Sequence, residues 1–170
     1  MTRVHGLGWR EADILELNGL PPRLVLDRLE RADVIYVGGG NHYHLARSIT
    51  GNGLADGIRD ALADRVYVGL SAGSMIHSRH LTTHSADVLG DSADLRRLGA
   101  TTVTPPFGLV DSYLKPHLYS PDFPERDDAW ADRIVARADF PIHFIDDDTA
   151  LRVRGDKVDV VSEGRWRFHP

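Results

Sequence analysis

The sequence predicts an α/β fold: a mostly parallel, doubly wound sheet with helices on both faces, followed by a C-terminal β-hairpin. Three observations carry this. Two short, continuous apolar runs, "VIYV" at 34–37 and "VYVGL" at 66–70, have the β-branched and aromatic content of parallel strands buried on both faces. Stretches of helical periodicity alternate with such runs, as they do in parallel sheets. Each run ends in small residues, "GGGN" and "GLSAGS", at the carboxyl end of its strand, where open α/β sheets bind ligands.

Taken in order, "DILEL" at 13–17 alternates polar and apolar residues and predicts a strand. Pro21 and Pro22 open a short helix carrying Leu24, Leu26 and Leu29. The strand at 34–37 leads through the glycines to two helical stretches, "HYHLARSIT" and "LADGIRDALAD", broken near residues 51–53. The strand at 66–70 follows, with a helix beginning near Gly73. Residues 80–106 have weak patterning and read mostly as loop with short elements. "SYLKPHL" at 112–118 predicts a strand and "AWADRIVARAD" a helix; "IHFIDD" predicts another strand. "ALRVRGDKVDVVSEG" predicts a hairpin turning at Gly155 and Asp156. With no repeat, low-complexity tract or clear linker, residues 1–170 are expected to form one domain.

Composition narrows the function. Hydrophobic residues make up 42% and charged residues 26%, the balance of a chain that folds rather than a disordered one. A net charge of −5 argues against a nucleic-acid partner held by phosphate neutralisation. No apolar run approaches the ~18 residues of a membrane span, and the N-terminus "MTRVHGLGWREADILELNG" lacks the apolar core of a signal peptide. A cytoplasmic protein without a membrane partner is therefore expected. There are no cysteines, which excludes disulfides, thiolate metal sites and a cysteine nucleophile.

The segment Gly69-Leu70-Ser71-Ala72-Gly73 fits G-x-S-x-G at a strand-to-helix junction, the pattern of a nucleophile elbow. The tight turn demands small neighbours and lifts the serine Oγ clear of the sheet. A helix beginning just after it offers free N–H groups and a positive dipole end to a developing oxyanion, with the Ala72 N–H as first donor. "GGGN" at 38–41 has the same placement. Its glycines allow close backbone approach to a ligand; Gly40 is the candidate second oxyanion donor, and Gly39 and Asn41 are candidate substrate contacts. The run lacks the spacing and the lysine of a phosphate loop.

A serine nucleophile needs a base, and nine histidines compete. His117 is best placed, behind Pro116 at the end of a predicted strand. His42 and His44 follow the glycines. His77, His80 and His84 have helical spacing without the H-E-x-x-H of a zinc site, so no metal is assigned. His143 lies inside a strand run and His169 at the tail. The carboxylate that would orient the histidine is left open among Asp87, Asp91, Asp111 and the run Asp146, Asp147 and Asp148.

In this order, "VIYVGGGNHYHL", "VYVGLSAGSM", "FGLVDSYLKPHL" and "IDDDTALRV" resemble the peptidase E-like family of serine peptidases, the aspartyl dipeptidases. The family shares a class I glutamine-amidotransferase-like fold with the cyanophycinases. The resemblance runs from Val34 to Gly164. It implies hydrolysis of short peptides, dipeptides with an N-terminal aspartate, without a cofactor. Motif by motif, Ser71 matches the family nucleophile, His117 the base, and Gly40 and Ala72 the oxyanion hole. The family's third residue is an acid some distance after the serine; in "LTTHSADVLGD" the nearest is Asp87, with Asp91 in reserve.

Two departures follow from the same resemblance. The family has about two further β-α units ahead of the strand expected at 13–17, so either the reading frame is truncated or the sheet lacks the family's first strands. An uncovered parallel strand invites pairing, which favours a homodimer. An aspartyl substrate also needs a cation for its carboxylate, for which bidentate arginine is suited. Arg126 is the candidate, with Arg133 and Arg79 behind it. Rival readings are an α/β-hydrolase-like esterase drawing on His143 or His169, and a degenerate peptidase that only binds. A glutamine amidotransferase is excluded, because its thiol cannot be built here.

Overall fold

The computed structural model describes residues 6–170; residues 1–5, the head of the segment read as leaderless, lie outside the described residues. Helix α1 (Pro22–Leu29) begins on Pro21 and Pro22, where a missing N–H costs nothing, and buries Val25 and Leu29. Strand β1 (Val34–Val37) follows, then α2 (His42–Gly51), capped by the Asn41 side chain, which accepts from the His44 N–H. Helix α3 (Ala55–Ala61) packs on α1. Gly57 makes that approach possible: a Cβ there would lie 2.7 Å from the Leu26 methyl groups.

Strand β2 (Val66–Gly69) pairs parallel with β1 in the register Val34 with Val66 through Val37 with Gly69. After it come α4 (Ala72–Met75), α5 (Thr83–Leu89) and α6 (Ser92–Arg97). Strand β3 (Tyr113–Lys115) is buried at every position and pairs parallel with β4 (Ile142–Ile145), across α7 (Asp128–Val135). The parallel strands thus form two ladders, β1–β2 and β3–β4, and α4 packs against β1, β2 and β3. The hairpin of β5 (Thr149–Arg154) and β6 (Lys157–Ser162) turns at Gly155, which holds a positive φ of 56°. Strand β7 (Trp166–His169) returns antiparallel to β4. One apolar cluster joins both ladders and their helices, from Val25 through Tyr43, Ile76, Leu81 and Leu118 to Phe144.

Several expectations are corrected. Residues 13–17 form no strand. The alternating pattern finds no neighbouring strand to bond, and Leu15 and Leu17 simply pack on the core from an irregular segment. The runs at 34–37 and 66–70 are strands, but not buried on both faces. Tyr36 and Val68, partners in the register, are each 42% exposed, and Val66 is 59% exposed. Nothing among the described residues covers that face. Residues 80–106 hold two helices. Thr82 and Ser85 cap α5 reciprocally, and Gly90, at φ 78°, ends it. The strand at 166–169 was not predicted. No helix among the described residues is long and apolar enough to cross a membrane.

Candidate active site

The answer to why small residues surround Ser71 is steric. Ser71 joins β2 to α4 at φ 52° and ψ −113°, a region an L-residue occupies only when its surroundings force it. A Cβ on Gly69 would lie 2.6 Å from the Gly73 carbonyl carbon, and a Cβ on Gly73 would collide with the Val37 carbonyl oxygen. Both flanking glycines are therefore dictated by close approach of backbone to backbone. The turn is then fixed by hydrogen bonds: Leu70 N–H to Val37 O at 2.9 Å, Ser74 N–H to Ser71 O at 3.0 Å, and Tyr67 OH to Gly73 O at 2.7 Å. Helix α4 is a single turn, so its dipole is small. What it offers is the Ala72 N–H, which has no intrahelical acceptor at the first helical position.

The glycine run presses on the serine from β1. A Cβ on Gly39 would stand 3.4 Å from Ser71 Cβ, and Gly40 adopts a φ of 127°, a backbone conformation open to glycine. Asn41 faces the same cavity, with its Oδ1 taken by the helix cap at 2.9 Å.

His117 follows β3 and Pro116 at a positive φ of 68°. Its Nε2 lies 2.9 Å from Ser71 Oγ, and its Nδ1 lies 2.8 Å from Asp147 Oδ1. Asp147 holds the proton on Nδ1, which leaves Nε2 to accept from the serine hydroxyl. Adjacent parallel strands explain the meeting. His117 lies two residues beyond β3 and Asp147 two beyond β4, and the Leu118 N–H donates to Ile145 O at 2.9 Å where the strands end. Ser120 Oγ donates to Asp147 Oδ2 at 2.6 Å. Burial pushes the Asp147 carboxyl up, but the hydrogen bonds from Ser120 and His117 outweigh it, and the group titrates below the usual carboxylate range. The Phe123 ring stacks on the His117 imidazole with centroids 4.7 Å apart, and the Arg126 guanidinium lies over the Phe123 ring, 3.9 Å from its centroid.

Ser71 and His117 open into a cavity of about 260 Å³, walled by Asn41, Asp91, Lys115, Phe123 and Arg126 among others. Arg126 donates to Pro116 O at 3.1 Å. Burial lowers its pKa, while Asp91, Glu125 and Asp147 oppose that shift. A more open hollow of about 550 Å³ lies beside Asp147 along the β5–β6 hairpin, lined by Thr149, Val161 and Ser162; the two hydroxyls in it bond each other at 2.7 Å.

The family model described as Peptidase family S51 matches residues 1–161. The chain belongs to peptidase family S51. It is similar to a protein named as a probable alpha-aspartyl dipeptidase of Drosophila melanogaster, 31% identical over 131 residues that cover 76% of this chain and 53% of that one. It is also similar to a protein named peptidase E of Streptomyces coelicolor, 28% identical over 133 residues, covering 78% and 53%. The chain spans about half the length of these curated relatives. A crystal structure from Listeria monocytogenes, assigned to peptidase E, shares the fold with a TM-score of 0.71 at 24% identity, covering 89% of this chain and 70% of that one. The fold is thus the class I glutamine-amidotransferase-like α/β fold that the sequence resemblance implied.

Within this S51 chain the expected site residues divide. Ser71, His117, Gly39, Gly40, Ala72, Asn41 and Arg126 come together at one cavity or its rim. Asp87 does not join them. It lies on α5, where its carboxylate accepts from Ser92 Oγ and its carbonyl accepts from Arg137 at 2.7 Å. The partner of His117 is instead Asp147. Asp91 lines the cavity but is bound to Lys115. Arg79 pairs with Asp111 at 3.6 Å and Arg133 is exposed on α7. Four of the remaining histidines have separate partners. His42 bonds to Tyr113 OH at 3.1 Å, His80 to Asp111, His84 to Asp139 and His143 to Ser112 Oγ, while His169 lies in β7.

Ser120, Phe123 and Lys115 were not singled out for the site from sequence. Asp147 was one of six open candidates, and strand adjacency is the signal that selects it: the acid lies at the end of the strand next to the histidine's own.

Proposed function

We propose that the chain is a serine-type peptidase acting on short peptides, with Ser71 as nucleophile, His117 as general base and acid, and Asp147 as the carboxylate that orients His117. The observation that carries this reading is the unbroken relay Ser71 Oγ to His117 Nε2 and His117 Nδ1 to Asp147, at 2.9 and 2.8 Å. The relay has the roles and order of contacts of a Ser-His-Asp triad.

In the acylation step Ser71 Oγ forms a bond to the scissile carbonyl carbon while His117 Nε2 takes the hydroxyl proton. The carbonyl π pair moves onto oxygen, within reach of the Ala72 and Gly40 N–H groups, which have no acceptor among the described residues. The intermediate collapses, the C–N bond breaks, and His117 gives its proton to the leaving amine. Water then adds to the acyl-serine with His117 again as base, the C–Oγ bond breaks, and the proton returns to Ser71. The reading needs no metal or organic cofactor.

For substrate we propose dipeptides with an N-terminal aspartate. Arg126 would take the side-chain carboxylate from the cavity wall, with Gly39 and Asn41 lining the approach. We place the peptidase in the cytoplasm as a single unit over residues 1–170. A second copy of the chain would cover the exposed Tyr36, Val66 and Val68 face; sedimentation velocity checks this, and a monomer at all concentrations contradicts it. The activity is tested by hydrolysis of Asp-Leu beside Glu-Leu, Asn-Leu and Ala-Leu. Turnover confined to Asp-Leu, and abolished in Ser71→Ala, is expected. Turnover spread evenly over the panel contradicts the substrate assignment, and none from folded protein contradicts the activity.

A further inference from the structure

We infer that Asp91 is the residue that reads the substrate's free α-ammonium group, and so confines this site to the amino-terminal end of a peptide. The inference rests on the peptidase reading of the same cavity and adds the group that sets its register.

The first observation is a cap that is not made. Asp91 occupies the N-cap position of α6, where an aspartate carboxylate ordinarily accepts from the helix's first free N–H groups. Here the side chain makes no capping bond. It is turned away from its own helix into the Ser71 cavity, where Oδ2 accepts from Lys115 Nζ at 2.6 Å. The backbone fixes this placement. Gly90 ends α5 in the left-handed region, and the Asp91 N–H then closes onto Ala86 O at 2.8 Å.

The second observation is what remains free. The Lys115 side chain is only 4% exposed, and Asp91 20%. The lysine therefore anchors one carboxylate oxygen from below, and the other, Oδ1, has no hydrogen-bond partner among the described residues. Asp94 also borders the cavity, but it is paired with Arg97 at 3.0 Å. Arg126 stands on the same wall, over the Phe123 ring, bonded to the Pro116 carbonyl and with Glu125 at 3.8 Å. The cavity thus presents a carboxylate oxygen without a hydrogen bond among the described residues and an arginine guanidinium beside the nucleophile. An N-terminal aspartyl residue carries the complementary pair, an ammonium and a carboxylate, on either side of the carbon next to the scissile carbonyl. Charge-assisted hydrogen bonds of this kind are strong and directional.

The test compares Asp-Leu with succinyl-leucine, which is the same molecule without its amino group. Binding is read by calorimetry in Ser71→Ala, so that it does not depend on turnover. Asp-Leu is expected to bind about 10–100-fold more tightly, the range of one hydrogen bond to a charged group. Adding Asp91→Asn keeps an acceptor for Lys115 but turns an amide N–H₂ toward the ammonium. The preference should then fall to within about threefold, because Asp-Leu loses its ammonium partner. A second variant, Asp91→Asn with Lys115→Met, removes the buried charges together and guards against misfolding from an unpaired lysine. Equal affinity for the two ligands, a preference that survives both variants, or no binding of either ligand overturns the inference. Discriminating binding by Ser71→Ala alongside an inactive wild type would instead overturn the peptidase reading and leave this one standing.

Discussion

His117 Nδ1 lies 2.8 Å from Asp147 Oδ1, across the ends of two adjacent parallel strands, and Ser120 Oγ holds the other oxygen of the same carboxylate. This contact fixes the imidazole tautomer that Ser71 requires. Asp147→Asn should therefore leave the fold and KM nearly unchanged and lower kcat by about 10³–10⁴. Asp87→Asn, which disturbs only the Ser92 contact at the end of α5, should stay within about threefold of wild type. Steady-state kinetics on both variants, with circular dichroism as the control for folding, separates the two acids.

The elbow glycines carry a steric expectation of their own. Gly73→Ala would drive a Cβ into the Val37 carbonyl oxygen and Gly69→Ala one into the Gly73 backbone, whereas a Cβ on Gly38 meets nothing within 4 Å. Gly73→Ala and Gly69→Ala should each lower the melting temperature strongly or prevent soluble expression, and Gly38→Ala should be tolerated. Thermal denaturation of the three variants checks this order, and equal stability of all three contradicts it.

A buried histidine, His42, and a half-buried one, His77, make stability depend on pH. Burial, with Lys115 and Arg126 nearby, pulls His42 down to about 3, and burial alone pulls His77 down to about 4, against an ordinary 6.5. Between 6.5 and those lowered values the unfolded chain binds protons that the folded chain does not. Stability is therefore full above the ordinary histidine range and is lost as pH falls through it toward 4 and then 3. The His77 ring packs between Tyr67 and Phe107, and its Nε2 is buried without a partner. His77→Phe removes both the protonation penalty and the orphaned nitrogen. It should raise the melting temperature at pH 5 by about 2–6 °C and flatten its fall between pH 7 and 4.5. A melting profile that parallels wild type across that range would count against it.

Ser120 offers a subtler readout. Its hydroxyl helps hold the Asp147 carboxylate in its ionised form. Ser120→Ala should lower kcat by about 3–30-fold, the effect of one hydrogen bond to a charged group outside the reacting atoms, and leave KM in place. Ser120→Thr, which keeps the hydroxyl, should recover most of the loss.

Much of the site was legible because its chemistry is local in sequence. The elbow occupies five consecutive residues, the glycine run four, and His117 is marked by the proline before it. Their strands were legible from continuous apolar content, although the exposure of Tyr36, Val66 and Val68 was not, since coverage depends on what packs from elsewhere in the chain. Asp147 was hidden among equivalents because its selection depends on β3 lying beside β4, a fact of strand order that no local pattern states. Helices α5 and α6 were missed because they are short. Their polar content, "THSADVL" and "SADLRR", gives weak periodicity, and they are held by caps and by packing. Residues 13–17 show the converse error: a strand-like alternation forms no strand when no ladder is there to receive it. The withdrawn cap of Asp91 was invisible for the same reason as Asp147, because Lys115 is 24 residues away.

In the proposed reaction His117 and Asp147 make Ser71 a nucleophile. The direct measurement is reaction of the intact protein with an organophosphorus serine probe, followed by peptide mapping in wild type, Asp147→Asn and His117→Ala. A single adduct on Ser71 that forms readily in wild type, slows markedly in Asp147→Asn and disappears in His117→Ala is the expected result. An unmodified Ser71 in folded wild-type protein, or labelling at the same rate in all three, would contradict it.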